Sequence, residues 1–113
     1  MAWLVRDGDV LATAEVANGR RARVRGLAGR AGLEGALVIP KCRQVHTFGM
    51  KFPIDVAFCD ADGVVVRTAS LRPWRVSAVV WRAAVAIEAE LGAFERWRLT
   101  LGDVVELKGS EEG

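Results

Sequence analysis

The sequence has no long apolar run, one histidine and only two cysteines among its 113 residues. Its apolar runs fall far short of the ~20 residues that a transmembrane helix needs. Arg6-Asp7 interrupts the apolar residues 1–5 before a signal-peptide core is complete. Hydrophobic residues still form 51% of the chain, against 27% charged residues, which excludes a disordered or collagen-like class. We therefore expect a cytoplasmic protein without a membrane segment, in which Cys42 and Cys59 are reduced, unbridged thiols.

Internal repeats, linkers and complete catalytic or metal signatures are also absent. The sequence therefore predicts one domain over residues 1–113. Three residues could act as zinc ligands: Cys42 and His46, which have the spacing C-x3-H, and Cys59. A structural zinc site needs four ligands, usually from close cysteine pairs. We expect neither a metal nor another cofactor.

Most of the chain has the pattern of short strands. Asp7-Gly8 separates two strand-like segments and is a strong hairpin signal. From Ile54 to Cys59 the pattern alternates, so that Ile54, Val56 and Phe58 face one side of a sheet. Further strands are predicted at residues 35–39, 64–71, 79–90 and 103–107. These features predict a mainly-β fold, a compact β-sandwich or barrel of about seven short strands.

One short helix is predicted in the N-terminal half. Asn18 suits its N-cap, and Val24 and Leu27 belong to an apolar stripe that would face the core. Gly26 and Gly29 each cost a helix about 1 kcal/mol relative to alanine, which keeps it short. A second segment, residues 92–98, has the character of a single helical turn.

Several motifs occur together in one order along the chain. An arginine-rich helix ends at Gly26-Leu27 and precedes Arg30, and the segment Phe48-x-Met50-Lys51-x-Pro53-Ile54-Asp55 leads into a strand. The turn Asp62-Gly63, Pro73, Glu88 ahead of Gly92, and Gly102-Asp103 follow. In this arrangement residues 14–107 resemble the domain of unknown function 192 family, which implies a mainly-β sandwich with a short helix and no established activity. Gly49 stands where many members carry tryptophan, so the loop beside Phe48 is expected to be more open.

The segment around the single histidine is the leading candidate for a site. His46, Thr47, Phe48 and Met50 precede Pro53 and a strand that should be central. Three further residues are assigned to the same site: Asp55, Glu88 and Arg30. Asp55 should be partly buried and bonded to an arginine, a lysine or amides of the loop. We interpret the chain as a binding or accessory module for a small anionic or polar ligand, with its site at residues 46–55.

Two other functions remain open from the sequence. A hydrolase-like enzyme would use His46 as a general base oriented by Asp55 or Glu88. A protein associated with nucleic acid would use the basic block Arg20–Arg30, since eight basic residues and one acid lie between Val16 and Pro53 and tryptophans alternate with arginines farther on. Such charge runs are weak motifs, usually a solvated surface, and nucleic acid therefore ranks last.

Overall fold

The computed structural model describes residues 2–109, about half of which form seven strands and two short helices. In chain order these are β1 (Ala2–Arg6), β2 (Asp9–Val16), α1 (Arg20–Arg25), β3 (Ala36–Pro40), β4 (Ile54–Cys59), β5 (Val65–Leu71), β6 (Val85–Glu90), α2 (Ala93–Trp97) and β7 (Val105–Gly109). The predicted mainly-β class with about seven short strands is confirmed. The second helix lies in the segment for which one helical turn was predicted.

All seven strands belong to one sheet with the order β5-β4-β6-β3-β2-β1-β7. Strands β2 and β3 pair in parallel, and the other neighbours are antiparallel. The two edges meet at an isolated bridge between Val64 and Val104, where Val65 N–H donates to the Asp103 carbonyl at 2.8 Å. The sheet is therefore strongly curled, but it is not closed into a barrel.

Strand β4 carries apolar side chains on both faces, and all six of its residues are buried. Ile54, Val56 and Phe58 pack with Leu27 in one core cluster, as the alternation predicted. Ala57 and Cys59 belong to a second cluster that contains Phe94 of α2. Strand β4 therefore has both edges paired, with β5 and β6, and a core cluster against each face.

Three local predictions were wrong, for backbone reasons. Helix α1 ends at Arg25 because Gly26 takes a positive φ of 53°, which leaves Val24 64% exposed, outside the core. The helix begins after Gly19, with no side-chain cap from Asn18. Residues 79–84 form a loop ahead of β6, since Val80 N–H bonds to the Arg43 carbonyl instead of to a strand.

Within residues 2–109, neither helix has the length and apolar character that a membrane crossing requires.

Candidate functional site

A cavity of about 370 Å³ lies between α1, the loop that follows β3, and strand β6. Its walls combine apolar side chains with a concentration of charged ones, and a buried glutamate lies among them. We call it the Glu88 cavity. Its lining residues are Arg20, Arg23, Val24, Gly26, Ile39, Lys41, Cys42, Arg43, Gln44, Val45, His46 and Glu88.

Glu88 is a carboxylic acid in the interior of the sheet, with an exposed fraction of only 1%. Its Cα pairs with that of Val56 across β6 and β4, so its side chain shares the face of Ile54, Val56 and Phe58. Within residues 2–109, its Oε1 atom is the only buried side-chain nitrogen or oxygen without a hydrogen-bond partner. Burial raises the pKa of Glu88 from 4.5 to about 7, because the charged form loses its hydration.

Gly26 brings the end of α1 close to this carboxyl group. A Cβ atom at Gly26 would lie 3.5 Å from Glu88 Oε1, and the residue has a φ of +53°. That φ is strained for residues with a side chain. Glycine therefore allows the chain to turn sharply beside Glu88 and to close one side of the cavity.

Four basic side chains surround the same cavity from two different elements. Arg20 and Arg23 come from α1, while Lys41 and Arg43 come from the loop after β3. The ion pairs within residues 2–109 are Arg6–Asp103 and Arg30–Glu15, neither of which involves these four cations. Arg20, Lys41 and Arg43 are exposed and Arg23 is half-buried, whereas Glu88 is buried. The positive charges therefore lie toward solvent and the carboxyl group lies deeper.

His46 contributes to the cavity wall, but both of its ring nitrogens have backbone partners. Nδ1 accepts from the Phe48 N–H at 3.2 Å, and Nε2 lies 3.2 Å from the Val24 carbonyl oxygen. A nitrogen that accepts carries no proton, so this arrangement corresponds to the neutral tautomer protonated on Nε2. His46 thereby ties the loop to α1, and no ring nitrogen is left to act as a general base.

Thr47 and Met50 lie inside the molecule. Thr47 is fully buried; its hydroxyl donates to the Arg72 carbonyl at 2.6 Å and accepts from the Arg75 N–H at 2.8 Å. Met50 is 4% exposed and packs in the same core cluster as Leu27. Both residues hold the 46–50 loop in place and lie outside the cavity lining.

Phe48 lies on the outer surface of this loop. It is 45% exposed and stacks on His46, with ring centroids 4.9 Å apart. Trp74 lies on its other side at 6.1 Å. These contacts brace the loop from outside, and Phe48 does not line the Glu88 cavity.

Asp55 is buried, as predicted, but its partners differ from those expected. One oxygen accepts from Ser70 Oγ at 2.9 Å. The other accepts from the N–H groups of Gly92, at 2.9 Å, and Phe94, at 3.2 Å. The predicted bond to a cation or to amides of its own loop is therefore wrong, because Asp55 shares its face with Ala89 and points toward the start of α2. The register of β4 and β6 thus directs Asp55 and Glu88 to opposite faces of the sheet.

Arg30 lies on another side of α1. It donates to Glu15 through its two terminal guanidinium nitrogens, Nη1 and Nη2, a contact that lowers the pKa of Glu15 and raises that of Arg30. A separate concavity is lined by Arg21, Arg25 and Arg30. The basic block is therefore divided between two sides of the helix, not presented as one face.

The role of the loop after β3 was not recognised from the sequence. Lys41 and Arg43 were counted among the eight basic residues between Val16 and Pro53, and Cys42 was considered as a reduced thiol and as a zinc ligand; none of the three was assigned to the binding site. In the structure all three line the Glu88 cavity. Cys42 Sγ lies 3.2 Å from the Gln44 carbonyl oxygen, to which it donates, and burial raises the pKa of its thiol. The available signal was the alternation of basic residues directly after a buried strand.

The described part of the chain contains no cluster of side chains suited to binding a metal ion. Across residues 2–109, no three histidine, cysteine, aspartate or glutamate side chains gather closely enough to hold a metal ion. Cys42 and Cys59 are both free thiols, in agreement with the prediction that they do not bridge. Cys59 is buried within the sheet, where burial raises the pKa of its thiol to about 12.

Fold and cavity together define a small mainly-β protein with a concave site in which basic side chains surround a buried acid. The chain belongs to the DUF192 family, described as "Uncharacterized ACR", whose model matches residues 2–107. It is 37% identical over 62 residues to a UPF0127 protein of Pyrococcus abyssi. That alignment covers 55% of this chain and 53% of the relative, so the match spans about half of the relative's length.

Two crystal structures have a similar fold. One is a protein of unknown function from Novosphingobium aromaticivorans, with a TM-score of 0.76 and 20% identity over 93% of this chain and 82% of that one. The other, described as a putative transcription regulator from Sinorhizobium meliloti, also has a TM-score of 0.76, with 21% identity over 93% of this chain and 90% of its own. At these identities the similarity concerns the fold alone.

Proposed function

We propose that this chain is a binding module for a small organic anion, held in the Glu88 cavity. The observation that carries the proposal is the convergence of Arg20, Arg23, Lys41 and Arg43 on one cavity. The ion pairs within residues 2–109 leave all four out. Cations that line a concave surface add their fields and raise the local concentration of anions.

The chemistry of these side chains suits carboxylate or phosphate groups. An arginine guanidinium donates two parallel hydrogen bonds to such a group, while lysine supplies a compact charge. The volume of about 370 Å³ is near the lower end of the range of about 300–1,000 Å³ for small-molecule sites. A ligand with few heavy atoms therefore fits better than an extended polymer.

Binding is favoured over hydrolysis because the candidate general base and the candidate nucleophile at the cavity are not free to react. Both His46 nitrogens have backbone partners. Burial keeps the Cys42 thiol protonated by raising its pKa, which lowers its nucleophilicity. Asp55 faces the other side of the sheet and so cannot orient His46. Glu88, the other carboxylate considered, lines the same cavity, but both His46 nitrogens are bonded to the Val24 and Phe48 backbone instead of to Glu88, so neither carboxylate forms a catalytic dyad with His46 in this structure.

The proposal is tested by titrating the ¹⁵N-labelled protein with inorganic phosphate and with citrate. We expect amide shifts concentrated in residues 20–26 and 41–46. The double variant Arg23→Gln/Arg43→Gln should bind about tenfold or more weakly, since charge-assisted hydrogen bonds contribute about 1.5–3 kcal/mol each. Arg67→Gln, a change at an exposed position of β5, is the matched control and should bind like the parent.

Two outcomes would refute the proposal. One is a scatter of shifts over the whole surface with equal weakening in the Arg67→Gln control, which would indicate general attraction between a basic protein and anions. The other is the absence of any shift in residues 20–26 and 41–46 for both anions.

A further inference from the structure

We infer that Glu88 adds a second requirement to this site: the ligand carries a hydrogen-bond donor, N–H or O–H, in addition to its anionic group. This inference rests on the proposed function, because it concerns the same cavity. It assigns Glu88 the role of selecting among small anions, which the surrounding cations attract without discrimination.

The first support is the lack of a partner for Glu88. Buried polar side-chain atoms in proteins are almost always hydrogen-bonded, and each exception calls for an explanation. Glu88 Oε1 is such an exception within residues 2–109, in a residue that is 1% exposed. Since Glu88 lines the cavity, a donor on a bound ligand is positioned to supply the missing bond.

The second support is the separation of charges by depth. The cations on α1 and on the loop after β3 lie toward solvent, and Glu88 lies in the sheet behind them. Apolar side chains of Ile39 and Val45 line the space as well, and both are buried. A ligand that satisfies all of these groups places its acidic end among the cations and its donor end against Glu88.

Two kinds of donor share this chemistry and differ in charge. A protonated amine pairs with the ionised carboxylate, and desolvation strengthens that attraction. A neutral hydroxyl or amide N–H donates to the carboxyl oxygen in either protonation state. The side chain of glutamine keeps an oxygen acceptor of the same size without the charge, so Glu88→Gln separates the two cases.

The experiment compares three phosphate monoesters of similar size by isothermal titration and by amide shifts. Ethyl phosphate has no donor on its alkyl group, glycerol 3-phosphate has neutral hydroxyls, and phosphoethanolamine has a protonated amine. We expect the parent to bind at least one of the last two about tenfold tighter than ethyl phosphate, the usual order for a hydrogen bond to a charged group.

Two variants then assign the preference to Glu88. Glu88→Leu should abolish the preference, so that the three esters bind with similar affinities, and a melting curve confirms that the variant is folded. Glu88→Gln should keep a preference for glycerol 3-phosphate and lose one for phosphoethanolamine.

The failures of the two proposals are distinguishable. Equal affinity for all three esters, with shifts confined to residues 20–26 and 41–46, would overturn the donor requirement and leave anion binding intact. A donor preference that persists in Glu88→Leu would overturn the role of Glu88. If none of the three esters shifts these residues, both proposals fall.

Discussion

Replacing Glu88 with glutamine tests the energetic cost of burying this carboxyl group without any ligand. Burial raises the pKa of Glu88 from 4.5 to about 7. At 1.36 kcal/mol for each pKa unit, the ionised side chain opposes folding by about 3 kcal/mol relative to the protonated one. Glutamine has nearly the same shape and never ionises. We therefore expect Glu88→Gln to be more stable than the parent protein at pH 8 and similar to it at pH 5.

The direction of the pH dependence follows from proton binding. Between pH 4.5 and about pH 7 the folded protein keeps the Glu88 proton, whereas the unfolded chain releases it. The unfolded state then binds fewer protons, so the free energy of unfolding falls as the pH rises through this window. The loss is complete above about pH 7. The other ionisable groups that line the cavity are present in both proteins, so their effects largely cancel when the two proteins are compared. These groups are Arg20, Arg23, Lys41, Cys42, Arg43 and His46.

The assay is urea denaturation of parent and variant at several pH values from 5 to 8. The difference in unfolding free energy between the two proteins should grow by about 2.5 kcal/mol across this range, because part of the effect already lies below pH 5. Glu106→Gln serves as the control, because Glu106 is exposed on β7, and this variant should follow the parent at every pH. A Glu88→Gln difference that is constant from pH 5 to pH 8 would refute the reasoning.

Further predictions concern residues that hold the site in place. Asp55→Ala should lower the free energy of unfolding by about 1–3 kcal/mol, because the first amides of α2 lose a buried acceptor; a urea midpoint equal to the parent's would contradict this. Thr47→Val should cost a similar amount in urea denaturation, about 1–3 kcal/mol, whereas Thr47→Ser keeps the hydroxyl and should cost less. With a thiol reagent at pH 8, half-buried Cys42 should react in the native protein and Cys59 only after unfolding; equal reaction rates would contradict the burial of Cys59.

Patterns of neighbouring residues in the sequence predicted the strand at the centre of the core and the hairpin at the N-terminus. The alternation at Ile54, Val56 and Phe58 predicts that one face of the strand is covered, and all three side chains lie in one core cluster. Asp7-Gly8 predicted a hairpin, and both residues have the positive φ values, 52° and 82°, that such a tight turn uses. These features depend on residues within a few positions of one another, which a sequence displays directly.

The site depends on register, which the sequence does not display. Asp55 and Glu88 appeared as equivalent carboxylates on inner strands. Pairing Val56 with Glu88 places the two acids on opposite faces, and a shift of one residue would have placed them together. The direction of each arginine on α1 likewise depends on where Gly26 ends the helix. Sequence analysis therefore identified Glu88 and the basic residues separately, without their common cavity.

The meeting of β5 and β7 also affects how molecules of this protein encounter one another. Free strand edges offer unpaired N–H and C=O groups on which another chain can add a strand and begin aggregation. Here Val65 N–H is bonded to the Asp103 carbonyl and Val105 N–H to the Gly63 carbonyl, so part of each edge is already used. The remaining part of each edge strand carries exposed charged side chains, which disfavour pairing with an incoming strand. They are Arg67 on β5, and Glu106 and Lys108 on β7. The curled sheet therefore leaves fewer free edge groups on which a second molecule could add a strand.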